Sequence, residues 1–157
     1  MVEPYVSDVK HAAKQNTHFR AVLFTGATSQ LVLMSLMPGE EIGTEVHQAD
    51  QILYAVDGEG VSILDGSRRP LKKGGVVCVP AGVEHNIINT DAEPMKLFTV
   101  YAPPQHAPGT VHPTKADSLH EDAKTLQPAI AASPRGTSDL GAKWPWSEFD
   151  SSGRLVT

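Results

Sequence analysis

The chain has 157 residues and a formal net charge of −5, and 40% of its residues are apolar, enough for one compact domain with its own core. Its Lys and Arg residues are dispersed, which argues against a nucleic-acid or anionic-membrane partner. No apolar run approaches the roughly 18 residues of a membrane span, and Met1–Lys10 lacks a basic start followed by an apolar stretch. A soluble, cytoplasmic protein is expected. The single cysteine, Cys78, can form no internal disulfide, which is compatible with a reducing compartment. Its run "VVCVP" carries no flanking positive charge, so a buried, inert thiol is expected.

In chain order, Ser7 to Gln15 reads as a short helix with Ser7 or Asp8 as cap. From Phe19 onward the pattern changes to short β-prone runs: "FRAVLFTG", "SQLVLMSLMPG", "TEVHQ", "QILYAVDG", "GVSILDG", "GVVCVPAG", "HNIINT" and "MKLFTVYAP". Asp57-Gly58 and Asp65-Gly66 sit between such runs and suit hairpin turns, because they supply positive φ. Roughly eight strands at this spacing predict an all-β sandwich or barrel. Seven of the twelve prolines lie at or beyond Pro103, so regular strands are expected to stop after Tyr101. "TKADSLHEDAKTL" predicts one more helix, with Thr114 as cap and Asp117 in the reciprocal position. Pro128–Thr157 reads as a Ser/Gly/Pro-punctuated tail, yet "KWPWSEF" places Trp144 and Trp146 in it, and paired tryptophans favour docking on the domain or a partner. The expected organisation is an N-terminal helical segment at 1–18, a barrel at 19–104 and a Pro-rich extension at 105–157.

Two segments exceed fold grammar. The first holds Gly39, Glu45, His47, Gln51 and Gly58; the second, "GVVCVPAGVEHNIIN", holds Pro80, Gly82, His85 and Asn89. Glu45 and His47 are two apart, so on a strand both side chains leave one face. His85 lies on a later strand that can face the same interior. Two imidazoles and one carboxylate on one point make a metal site with open positions. The glycines and Pro80 read as turn formers, and Asn89 as a backbone-bonding residue. His11, His18 and His120 read as solvated, and His106 and His112 as loop histidines able to cover a barrel mouth.

The paired segments resemble the two motifs of the cupins, small jelly-roll barrels (double-stranded β-helices) with a metal at the mouth. The first cupin motif, G-x5-H-x-H-x3,4-E-x6-G, aligns with Gly39, Glu45, His47, Gln51 and Gly58. The second, G-x5-P-x-G-x2-H-x3-N, aligns with Gly74, Pro80, Gly82, His85 and Asn89. The resemblance covers roughly Leu31 to Tyr101 and implies three histidines and one glutamate as ligands. Here Glu45 stands at the first histidine position and Gln51 at the glutamate position. The ligand set implied for this chain is therefore Glu45, His47, Gln51 and His85, holding one divalent ion (Fe, Mn, Ni or Zn). Gln51 is either a direct ligand or a neighbour that orients bound substrate or water. Without it, the remainder is a two-histidine, one-carboxylate triad of the kind non-haem iron oxygenases use.

Two classes of function stay open. One is a metal-dependent enzyme of dioxygenase, isomerase, lyase or hydrolase type acting on a small oxygenated metabolite, with Glu45 or Glu84 available as a base if unligated. The other is a non-catalytic module that binds a small molecule or sugar. A homodimer is expected in either case, since a short sandwich leaves sheet edges to cover.

Overall fold

The structure, a computed structural model, describes residues 2–122. Among the described residues the order is α1 (Val9–Gln15), β1 (Arg20–Thr25), β2 (Gln30–Leu36), β3 (Asp50–Asp57), β4 (Glu59–Leu64), β5 (Ser67–Lys72), β6 (Val76–Val79), β7 (His85–Asn89), β8 (Met95–Ala102), β9 (Val111–His112) and α2 (Lys115–Asp122). A six-stranded sheet runs β6-β3-β8-β2-β1-β9 and a three-stranded sheet runs β5-β4-β7, every pairing antiparallel. The two sheets face each other as a jelly-roll barrel, the all-β class the strand pattern predicts.

Alternation decides what fills it. Along β8, Met95, Leu97, Thr99 and Tyr101 are buried while the residues between them are half-buried or exposed. Leu36, Leu53, Ile87, Met95 and Leu97 are fully shut from solvent and make the barrel core. A second, smaller core lies outside the barrel. There Ala13 of α1 packs with Ala21, Leu33 and Val56 on the reverse face of the large sheet. Asp8 caps α1 by accepting from His11 N at 3.0 Å. At its other end, Lys96 donates to Asn16 O and, at 3.0 Å, to Ser35 Oγ, tying helix to sheet. No helix among the described residues is long and apolar enough to cross a membrane.

Asp65-Gly66 forms the two-residue hairpin expected between β4 and β5: both residues have positive φ, 47° and 77°, and Leu64 pairs with Ser67. Asp57-Gly58 does not form one. The chain turns a corner there, passing from β3 in the large sheet to β4 in the small one. Just beyond, a Cβ on Gly60 would meet Ile88 O at 2.2 Å, so only glycine lets β4 approach β7 at that point. "SRRPLK", read as a connection in the sequence, is the edge strand β5, where Pro70 needs no outward donor. "TEVHQ" is not a strand; residues 41–45 lie along β7 through isolated bridges.

Regular pairing does not end at Tyr101. β9 returns beyond the prolines to pair with β1, Arg20 opposite His112. Helix α2 starts with the expected reciprocal cap: Thr114 N and Oγ1 donate to Asp117 at 2.9 and 2.7 Å, and Asp117 N donates to Thr114 Oγ1 at 3.3 Å. Those bonds hold the Asp117 carboxyl below the usual carboxylate range. Cys78 is exposed, contrary to the burial expected of it. Val77 and Val79 take the inward positions of β6, and alternation turns Cys78 outward. The tail 128–157, with Trp144 and Trp146, lies outside the described residues.

Candidate metal centre

Glu45 and His85 exchange backbone hydrogen bonds, Glu45 N to His85 O at 2.9 Å and His85 N to Glu45 O at 3.0 Å. Directly opposed residues project to the same face, so this pair brings a carboxylate and an imidazole together without a full strand at 44–48. His47 follows two residues on, and its carbonyl accepts from Gly82 N at 2.8 Å. The glycine-containing turn before β7 thus pins the segment that precedes β3. The ligand atoms of Glu45, His47 and His85 all lie within 4.8 Å of one another.

Gln51 joins them from β3. It is 1% exposed, and its register neighbours across the sheet are Val79 and Tyr101. Its Nε2 donates to Thr99 Oγ1 at 3.1 Å, which aims Oε1 at Nε2 of His85, 2.8 Å away. His85 Nδ1 lies 2.9 Å from Val83 O, an oxygen that can only accept, so this nitrogen carries the proton. His85 Nε2 faces the Gln51 carboxamide, so both groups point into the space beside Glu45 and His47.

The spacing is also compatible with a cation. With bonds of about 2.1 Å, ligands at right angles on one ion stand about 3 Å apart. Gln51 Oε1 to His85 Nε2 is 2.8 Å, and Glu45 Oε2 to His47 Nε2 is 2.9 Å. One carboxylate, two imidazoles and an amide oxygen suit a divalent ion, and the Glu45/His47/His85 cluster can hold one. The glutamate side chain is 21% exposed and His47 17%, so the site opens to solvent on their side.

Around these four stand further groups, of which Arg20 and Tyr101 are not singled out by any motif. Arg20, on the inward face of β1, is 1% exposed; its Nη2 is 3.9 Å from Glu45 Oε1 and its Nη1 is 3.2 Å from His112 Nδ1. The available signal was a charged residue two before Val22 at the start of an otherwise apolar run. Tyr101 stands edge-on between two imidazoles, with centroids 5.4 Å from His47 and 5.2 Å from His106. His106 is thereby tied to Tyr101. Burial, and then the positive Arg20, push its pKa down to about 3, so it is neutral at ordinary pH. His112 is not a loop residue but part of β9, buried beside Arg20.

Other candidates fall outside. Asn89 donates to Leu36 O and Glu93 O at 2.9 Å each and accepts from Asp91 N, a backbone role throughout. Glu84 is exposed, on the opposite face from its neighbour His85. His11, His18 and His120 are exposed.

The comparisons agree with this geometry. A family profile described as a cupin domain matches residues 32–101. The Bacillus subtilis protein YrkC is 44% identical over 124 residues, covering 74% of this chain and 67% of YrkC. A protein of Thermotoga maritima named oxalate-binding protein is 32% identical over 89 residues, 56% of this chain and 68% of its own. The crystal structure of BH2720 from Bacillus halodurans superposes with a TM-score of 0.74 at 38% identity, covering 75% of this chain and 95% of that one. With the fold, the two motifs and these relatives in agreement, the chain belongs to the cupin family.

Proposed function

We propose that this cupin is a metal-dependent enzyme acting on a small oxygenated metabolite, with one divalent ion held by Glu45, His47 and His85 and with Gln51 as a fourth or outer ligand. The observation that carries the reading is the convergence of Glu45, His47 and His85, whose ligand atoms all lie within 4.8 Å of one another, with the Gln51 carboxamide 2.8 Å from His85 Nε2. Bound there, Fe, Mn, Ni or Zn supplies Lewis acidity toward a carbonyl or enolate oxygen, and iron or manganese adds redox chemistry with O2.

The chain's own residues do the rest. Glu45 contributes the negative charge, and His47 and His85 contribute imidazole nitrogens, the His85 ring held by Val83 O and the His47 backbone held by Gly82 N. Thr99 orients the Gln51 carboxamide. Val79, Leu53 and Tyr101 wall the interior and exclude water from the reacting atoms. Elemental analysis after growth with supplied metals tests the reading; under about a tenth of an equivalent would sink it.

A second reading is a non-catalytic module that binds a small molecule, and the similarity to a protein named for binding oxalate favours it. Screening the metal-loaded protein for turnover or oxygen uptake separates the two. In either case we place the protein as a cytoplasmic homodimer. The unpaired thiol of Cys78 is compatible with a reducing compartment. The outer face at the β6 edge supports association, because Ile52 and Val76 are 43% and 57% exposed there. A monomeric mass in light scattering at micromolar concentration would refute the dimer.

A further inference from the structure

We infer that the ligand of this site carries a carboxylate and that Arg20 is the residue that anchors it. The inference deepens the metal-centre reading and rests on it for the charge balance and for the second half of the ligand's contacts.

A buried guanidinium is costly unless its charge is paired and its donors are used. Arg20 meets neither condition in full. It offers five N–H donors, and Nε has no hydrogen-bond partner among the described residues. The Nη1 group meets His112 Nδ1 at 3.2 Å. The approach of Nη2 to Glu45, 3.9 Å, is too long for a hydrogen bond. The remaining face of the guanidinium lies 5.5 Å over the Phe19 ring, which attracts a cation but accepts no directed bond of comparable strength.

The charge balance points the same way. Glu45 is the one carboxylate whose contacts with Arg20 and the two ligand histidines are seen, and its other oxygen is committed toward His47. A divalent ion together with Arg20, set against one carboxylate, leaves the pocket net positive. His106 adds no compensation, being neutral, yet its Nε2 is also buried without a partner among the described residues. Tyr101 stands between His106 and His47, His47 meets Glu45, and Glu45 is approached by Arg20, so the two unused nitrogens belong to one connected group of side chains. A planar anion with two oxygens satisfies this set. One oxygen takes the Arg20 donors and the other takes Nε2–H of His106, while a second oxygenated group of the same molecule faces the metal ligands. Phe19, Tyr101 and the imidazoles crowd the space, so the ligand is a small mono- or dicarboxylate.

Calorimetric titration with malonate, using malonamide as its uncharged counterpart, tests this on metal-loaded protein and on protein stripped with chelator and dialysed. Wild type is expected to bind malonate at least about tenfold more tightly than malonamide in both forms. Arg20→Met is expected to lose at least about tenfold in malonate affinity while keeping its metal content, and Arg20→Lys to recover part of it. Equal affinity of wild type for malonate and malonamide overturns the inference, as does unchanged malonate affinity in Arg20→Met. Should Arg20→Met lose its cooperative thermal transition, the wild-type comparison of malonate with malonamide decides alone. Failure of wild type to take up metal would refute the proposed metal centre, and the stripped-protein titrations would still decide the role of Arg20.

Discussion

The carboxamide oxygen of Gln51 stands 2.8 Å from Nε2 of His85, although the other ring nitrogen of His85 already gives its proton to Val83. Gln51 is held in that attitude by Thr99 and is shut from solvent, so it is no surface hairpin residue. Gln51→Glu places a second carboxylate beside the ion. A hard divalent ion is then expected to bind more tightly, by about tenfold or more, while any reaction that depends on the metal's polarising power slows. Competition with a chelator measures the affinity; equal values in wild type and variant would put Gln51 outside the metal's reach.

An ion held by Glu45, His47 and His85 binds the folded chain and not the unfolded one. At about a hundred times its Kd it adds about 2.7 kcal/mol, a rise of roughly 10 °C in Tm for a domain of this size. Chelator is expected to reverse the rise. His47→Asn, at a side chain 17% exposed, should largely abolish the metal-induced shift and alter the metal-free Tm little. A full-sized shift in His47→Asn, read by scanning calorimetry, would show that the ion binds elsewhere.

Gln30 grips His106 at both backbone atoms, donating to its carbonyl at 2.7 Å and accepting from its N–H at 3.0 Å. The ring so held must stay neutral, and the sign of the pH effect follows. A histidine whose folded pKa is depressed contributes stability fully present above the unfolded value near 6.5; that stability is lost as pH falls toward about 3. His106→Gln removes this contribution. Thermal melts of metal-free protein from pH 7 down to pH 4 are expected to fall less steeply in the variant than in wild type. Parallel slopes would mean that His106 does not titrate in this window.

Cys78 points outward from β6 next to Ile52 of β3, its cross-strand partner. If the proposed dimer uses this face, a thiol-specific chromogenic reagent is expected to label Cys78 at well under one equivalent per native chain at micromolar concentration and at about one equivalent after unfolding. Full labelling of the native protein would mean that this face is open in solution and that any dimer forms elsewhere.

The sequence by itself determined the strand grammar, the Asp65-Gly66 hairpin, both helix caps and the positions of Glu45, His47, Gln51 and His85 in spaced motifs. These are local matters: alternation, positive φ and capping act over a few residues, and a motif records how far apart along the chain its side chains must lie. Tertiary structure decided the rest. Asp57-Gly58 carries the same dipeptide as the true hairpin, yet its flanking strands belong to different sheets, and no local preference encodes that choice. Glu45 reaches the site through a single reciprocal pairing with His85 and not through the strand its sequence suggests. Arg20 and His112 become neighbours only because β9 closes on β1, ninety-two residues apart in the chain. The same closure explains why Arg20 went unread: a charged residue at the start of an apolar run reveals its meaning only when the partners that do and do not satisfy it are in place.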